Sequence, residues 1–435
     1  MRDGHDAGPD AATSSVRGAR AGVRAAREAR CVATALLCAV ALALSGCIGG
    51  ATTVDAARTA ARAPDLAAAA VPFDWRLPDW VPPPVVPADN PMSVDKVELG
   101  RHLFHDPRLS ADRTMSCATC HHQDRAFTDG RARAPGITGE LGARSAMSLA
   151  NVAYLPVLTW QNPQLTSLEI QALIPIFGEH PVEMGMAGRE RELFERLRAD
   201  PVYRRLFARA FPEEARRGDD ALFGLATVTR AIAAFQRTLL SFDSPYDRYR
   251  YGRRPDAISE RAKRGEALFF GERLECYHCH GGFNFTDNLR HARLPFPEQG
   301  FHNTGLYDVD GEGSYPPDSP GIVEFTGDER DRGKFRTPSL RNVAVTAPYM
   351  HDGSIATLHD VLRRHYARAG RASLAGHGPS PLRSELIAGF EIDDEEIDDV
   401  VAFLESLTDE GFLRDPRHAD PWPTARRPAA AASGR

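Results

Sequence analysis

Two short stretches, SCATCHH at 116–122 and ECYHCHGG at 275–282, each set two cysteines three apart with a histidine directly after them. The chain has seven cysteines in 435 residues, and four of them (Cys117, Cys120, Cys276, Cys279) stand in these segments. Two thiols at that spacing on a helical turn reach one porphyrin edge and form thioether bonds to its vinyl groups. The following histidine then points at the iron, which is why C-x-x-C-H reads as a c-type haem site. Two CxxC pairs could instead build one Cys₄ zinc site. Zinc, however, does not require a histidine after each pair, and a thioredoxin-like motif would sit in a βαβ setting that this sequence does not show. The reading is two covalently bound c-type haems, with His121 and His280 as proximal ligands of haem irons 1 and 2.

The other three cysteines fit an exported chain. Six arginines between Arg2 and Arg30 precede a short apolar run, Val32 to Leu44, which ends in Leu44-Ser45-Gly46-Cys47. A basic stretch, a short apolar core and small residues at the cut describe an export signal, and the run is too short to span a bilayer. The L-S-G-C ending resembles a lipoprotein box, so residues 1–46 read as a signal peptide and Cys47 as a lipid-bearing N-terminus facing the periplasm. Cys31 and Cys38 leave with the signal, and no cysteine remains for a structural disulfide. Loss of six basic and four acidic groups takes the formal charge from −6 to −8. An acidic exported body argues against nucleic acid as a partner.

The rest of the chain repeats itself once. GRHLF (100–104) leads to CATCH and Phe127-Thr128-Asp129, and GEALF (265–269) leads to CYHCH and Phe285-Thr286-Asp287. SLANVA (148–153) answers SLRNVA (339–344). Each copy closes with an apolar-periodic helix, one carrying Val228, Ile232, Phe235 and Leu239, the other Ile397, Val400, Val401, Leu404 and Leu407. Gly/Pro-rich stretches at 131–142 and 293–333 read as loops. No sustained strand alternation is present. The expected fold is mainly α: two cytochrome c-like helical domains with long loops, at 92–250 and 255–413. An Ala/Pro-rich tether at 47–91 precedes them, and a tail at 414–435 follows. Ser93 is the expected N-cap of the first helix.

The sixth iron position separates an electron carrier from a peroxide-reactive enzyme. In the second copy, TLHDVLRRHY starts with Thr357 as N-cap and Asp360 at N3. Leu358, Leu362 and Tyr366 share a face at four-residue spacing, which lets Tyr366 face a haem or serve as a core aromatic; His365 competes from a neighbouring face. The first copy reads TSLEIQALIPIFG, with no Met, Tyr or His between Ser167 and Phe177. Haem 1 therefore reads as open, with Gln171 and Glu183 in its pocket. A carboxylate there can move a proton between the two peroxide oxygens. Trp160 and His351 stand at matching places, each eleven residues past the leucine of its SL-x-NVA segment. Trp160 suits an electron relay between haems, or plain core packing.

These segments together resemble the bacterial di-haem cytochrome c peroxidase and MauG family, and most closely its MbnH-type branch. The resemblance covers about residues 88–423 and rests on NPMSVDKVELGRHLFHDPRLS, CATCHHQDRAFTDG, LANVAYLPVLTW, LEIQALIPIFGEHPVEMG, NTGLYDVDGEGSYP, GKFRTPSLRNVAVTAPYMHDGS and DVLRRHYARAG. It implies that His121 serves the reactive high-spin haem. Gln171 and Glu183 match the distal glutamine and acid, Pro175 the proline near the iron, and Trp160 the inter-haem tryptophan. His280 and Tyr366 would hold the second iron, where the peroxidases have a methionine in place of the tyrosine. Thr346 and Pro348 match backbone ligands of a structural calcium ion; the family's asparagine ligand is replaced by Ser145, a weaker donor. Asp308, Asp310 and Glu312 are spaced like part of a calcium loop but read as a solvated turn.

The resemblance implies an oxidoreductase that uses hydrogen peroxide to reach a bis-ferryl-like state. That state would oxidise a side chain, a tryptophan, of an MbnP-like copper-binding partner protein. An ordinary peroxidase drawing electrons from a small cytochrome or cupredoxin, and a non-catalytic di-haem carrier, are the alternatives.

Overall fold

The two sequence repeats fold as two crossed helix pairs. In the computed structural model, which describes residues 73–370 and 379–423, the helix Val94–Phe104 packs on Leu225–Gln236, and Glu260–Phe269 packs on Asp394–Glu405. The crossings are close because each first helix carries a glycine there. A Cβ on Gly100 would lie 1.9 Å from the Ala231 carbonyl oxygen, and one on Gly265 would lie 1.9 Å from that of Asp399. Around these points Leu99 and Leu103 meet Val228 and Ile232, and Phe269 meets Phe403 at 5.1 Å.

The caps agree with the sequence. Ser93 Oγ accepts the Lys96 amide at 3.2 Å, and Asp393 Oδ1 accepts that of Glu396 at 2.9 Å. Leu239 and Leu407 lie one turn past their helices and are still fully buried. Strand content is small, as expected: Asn288–Leu289 pairs antiparallel with Glu298–Gln299, and Phe301–Asn303 with Lys334–Arg336. The architecture is mainly α.

Asn151 and Asn342, from the matching SL-x-NVA segments, both take the left-handed conformation, at φ 57° and 60°. Both meet at Ser241. Asn151 Nδ2 donates to its carbonyl at 3.1 Å and Asn342 Nδ2 to its hydroxyl at 2.9 Å. The repeats are thus joined at equivalent residues.

Three features differ from the sequence reading. The Pro-rich stretch read as a tether is packed over part of its length: Trp80 stacks on Tyr251 at 3.9 Å, and Tyr154 donates its hydroxyl to the Pro82 carbonyl at 2.9 Å. Aromatic side chains anchor it, and prolines have no N–H to leave unpaired. The segment at the end of each half also packs on the other half. Tyr246 and Asp247, on the helix Pro245–Arg250, contact Phe403 (5.3 Å between rings) and Arg341 (2.8 Å). Phe412 packs on Phe127 at 5.6 Å, and Trp422 Nε1 donates to the His102 carbonyl at 3.0 Å, so the start of the expected tail is docked. Finally, Asp308 is buried and its Oδ1 accepts the Gly313 amide at 2.8 Å, so this end of the acidic turn is not solvated.

Residues 1–46 and Cys47 lie outside the described residues. Among the described residues, no helix is long and apolar enough to cross a membrane.

Candidate functional site

Each CxxCH segment forms one helical turn, Cys117–Cys120 and Tyr277–His280. In both, the chain then reverses so that a phenylalanine carbonyl returns to the histidine. His121 Nδ1 lies 2.7 Å from the Phe127 oxygen, and His280 Nδ1 lies 3.0 Å from that of Phe285. Phe127 and Phe285 hold φ of 63° and 50° to make this turn. A carbonyl only accepts, so the proton sits on Nδ1 and the Nε2 lone pair is left for a metal. That is the tautomer an axial imidazole ligand requires. Burial holds both imidazoles below their ordinary pKa, which keeps that lone pair free.

The same residues do not fit zinc. Cys117 packs with Phe104 and Phe127, while Cys276 packs with Phe285 and Leu358, in separate clusters. Burial pushes the Cys117, Cys120 and Cys276 thiols up to about 12. Among the described residues, the one trio of His, Cys, Asp or Glu close enough to share an ion is Cys279, Asp287 and His302, with a single cysteine.

Cys276, Cys279 and His280 stand in the wall of a cavity that, with its mouth, contains ≈ 1520 Å³ of atom-free space. Leu340, Val343, Leu358, Leu362 and Leu404 give it an apolar lining suited to a porphyrin face. Tyr366 lines the same cavity, and burial raises its phenol pKa. Thr357 caps the approaching helix as expected, accepting the Asp360 amide at 3.0 Å. The segment then widens into a π-helical turn, Val361–His365. Such turns occur often at functional sites and re-aim the residues that follow. His365 does not line the cavity. It is fully buried, neither ring nitrogen has a hydrogen-bond partner, and burial lowers its pKa to about 4.

Trp160, from the first repeat, also lines this cavity, as does His351, whose ring stacks on Phe335 at 3.6 Å. Ser145 hydrogen-bonds to the same loop: its amide donates to the His351 carbonyl at 2.9 Å, and its hydroxyl to the Met350 carbonyl at 3.2 Å. Thr346 Oγ1 donates to the Val343 carbonyl at 3.0 Å.

In the first half, Gln171 ends the turn Leu168–Gln171, and Pro175 sits in the next one, Leu173–Phe177. The Met184 and Met186 amides donate back to the Pro175 and Ile176 carbonyls, each at 2.9 Å, and this ladder fixes the strap that carries Glu183. Burial raises the Glu183 pKa, and its charge in turn adds to the upward push on Cys117 and Cys120. Glu183 therefore acts electrostatically on the N-terminal CxxC pair. His180, on the same strap, is exposed.

Two cavity-lining groups were missed by the sequence reading. His302 pairs with Asp287 at 2.6 Å, which raises its pKa to about 10. Arg336 is almost fully buried, and its pKa is lowered to about 9 by that burial. The FHN and KFR segments that carry them form one short β-pair, a long-range pairing with no local signal.

Residues 94–255 match the family model for di-haem cytochrome c peroxidase. The chain is 36% identical over 375 residues to the methylamine utilization protein MauG of Methylorubrum extorquens, covering 86% of this chain and 92% of that one. It is 37% identical to the cytochrome-c peroxidase IdrP1 of Denitromonas iodatirespirans, covering 79% and 89%. A crystal structure of a MauG-like protein associated with microbial copper homeostasis superposes with a TM-score of 0.76 at 48% identity, covering 81% of this chain and 100% of that one. The chain therefore belongs to the di-haem cytochrome c peroxidase and MauG family, whose members carry two c-type haems.

Proposed function

We propose that this enzyme reduces hydrogen peroxide at its N-terminal haem site and delivers the oxidising equivalents to a side chain, a tryptophan, of a partner protein. The observation that carries this reading is Tyr366 in the cavity wall with Cys276, Cys279 and His280. A phenolate oxygen favours oxidised iron, which suits a site that stores oxidising equivalents. The haems, when bound, supply the one-electron chemistry and the peroxide-binding metal.

The chain's own residues then have separate tasks. Cys117 and Cys120, and Cys276 and Cys279, hold the two groups covalently, while His121 and His280 present Nε2. Glu183 takes a proton from one peroxide oxygen and returns it to the other; its raised pKa brings it toward the working range of a general acid–base. Gln171, on the preceding turn, would offer a neutral hydrogen-bonding amide, and Pro175, whose carbonyl holds the strap, would narrow the space. Trp160, in the wall of the C-terminal cavity, is assigned the electron relay between the two sites. Ser145 Oγ and Thr346 Oγ1 donate their protons to carbonyls and keep their lone pairs, so a calcium ion there would draw on the main-chain oxygens of Thr346 and Pro348, with Ser145 Oγ as a weak side-chain ligand.

The likeness to the copper-homeostasis protein supports a copper-binding partner. The N-terminal sequence supports an exported protein anchored through lipid on Cys47. The test is to mix fully ferric, haem-loaded enzyme with peroxide in the absence of any reductant and follow the visible spectrum. A rapid change, followed by oxidation of tryptophan in an added partner, supports the reading. Reaction only after pre-reduction would favour a peroxidase fed by a small donor protein, in line with the likeness to IdrP1.

A further inference from the structure

Behind the cavity wall a run of rings leads toward the surface. Phe335 and His351 line the cavity and stack at 3.6 Å with an 11° angle between planes. The His351 ring lies 6.3 Å from that of Tyr315 and 6.4 Å from that of Tyr307, and the two tyrosines are 5.5 Å apart. Spacings this short allow an electron to pass from ring to ring.

The two tyrosines differ in where their protons can go. A phenol that loses an electron becomes strongly acidic, so it is oxidised readily only when a base stands ready. Tyr315 is 4% exposed, and its hydroxyl donates to the Asn303 amide oxygen at 2.8 Å, which is no base. Tyr307 is partly exposed, and its hydroxyl donates to Asp352 Oδ2 at 2.5 Å. The other carboxylate oxygen, Oδ1, accepts the Ser354 amide at 3.0 Å, which holds the base in place. Beside Tyr307 the chain surfaces at Val309 and Asp310.

We propose that Tyr307, with Asp352 as its proton acceptor, is the exit relay that passes oxidising equivalents from the C-terminal cavity to the partner protein. This rests on the function proposed above. One electron moves from Tyr307 toward the cavity while the phenolic proton moves to Asp352. The resulting neutral tyrosyl radical takes one electron from the partner's side chain, and the proton returns. Two such passages supply the two electrons that, with two protons from solvent, reduce one hydrogen peroxide to two waters.

The test is freeze-quench EPR on haem-loaded enzyme mixed with peroxide and no partner. Wild type and Tyr315→Phe should show a tyrosyl signal, and Tyr307→Phe should lose it while keeping the resting haem spectrum. If Tyr307→Phe does not load haem, Asp352→Asn decides in its place: loss of the signal supports the relay, and an undiminished signal overturns it. A Tyr307→Phe enzyme with the wild-type signal also overturns it, as does a wild type that forms the oxidised spectrum without any tyrosyl signal. A wild type that fails to react with peroxide overturns the underlying function, and the relay with it.

Discussion

Trp160 donates its indole N–H to the carbonyl oxygen of Ser145 at 3.0 Å. The Ser145 amide donates to the His351 carbonyl, and the Arg336 amide donates to the Trp160 carbonyl at 2.8 Å. A side chain of the first repeat is thereby fixed in the cavity of the second by main-chain bonds on both sides. An electron relay needs such fixed geometry, because tunnelling falls steeply with distance.

Trp160→Phe keeps an aromatic ring but leaves the Ser145 carbonyl unpaired. It should cost about 1–3 kcal/mol of stability, read as a lower denaturation midpoint. In rapid mixing with peroxide, the variant should change the spectrum of one haem and leave the other ferric. Simultaneous change at both haems would remove Trp160 from the relay.

Glu183→Gln should slow peroxide cleavage strongly and flatten its pH profile. Burial raises the folded pKa of Glu183 above 4.5. Proton acceptance needs the carboxylate, so the wild-type rate should fall as pH drops through that raised value, with the acid limb above 4.5. Linkage has the matching sign. A raised carboxyl pKa costs no stability below 4.5, and the cost builds as pH rises from there to the folded value. A Glu183→Gln enzyme with the wild-type profile would remove the residue from the mechanism.

Gly265→Ala places a Cβ 1.9 Å from the Asp399 carbonyl oxygen. The helices Glu260–Phe269 and Asp394–Glu405 must then separate, at a cost of about 1–3 kcal/mol. Chemical denaturation of the haem-loaded protein measures this, and an unchanged midpoint would contradict the crossing geometry.

Much of this was legible from local sequence. The CxxCH turns, the caps at Ser93 and Thr357 and the closing helices depend on residues within one or two turns of each other, and the repeat shows as a match between short local motifs. What escaped was long-range or a departure from regular geometry. The buried Arg341–Asp247 pair joins residues 94 apart. The His302–Asp287 pair depends on folding of the long loop within the second repeat. The four-residue stripe Leu358, Leu362, Tyr366 is legible, but the π-helical turn that delivers Tyr366 is not, because a four-residue spacing fits an α-turn and a π-turn alike. The exchange of end segments, with Tyr246 and Phe412 each in the other half's core, has no signature in a repeat that otherwise aligns cleanly.

Tyr366→Phe should keep both covalent haems, since all four cysteines are untouched, yet lose the persistence of the peroxide-oxidised spectrum. Its decay should become many times faster than in wild type when followed without a partner. Equal persistence would mean that the phenol oxygen is not what stabilises the oxidised site.

The most direct measurement is low-temperature EPR of the resting, fully ferric enzyme. The asymmetry between the halves predicts two distinct signals of equal weight: a high-spin haem at the N-terminal site, and a low-spin haem with histidine and tyrosinate ligands at the C-terminal site. Two low-spin signals, with both irons capped at rest, would contradict it.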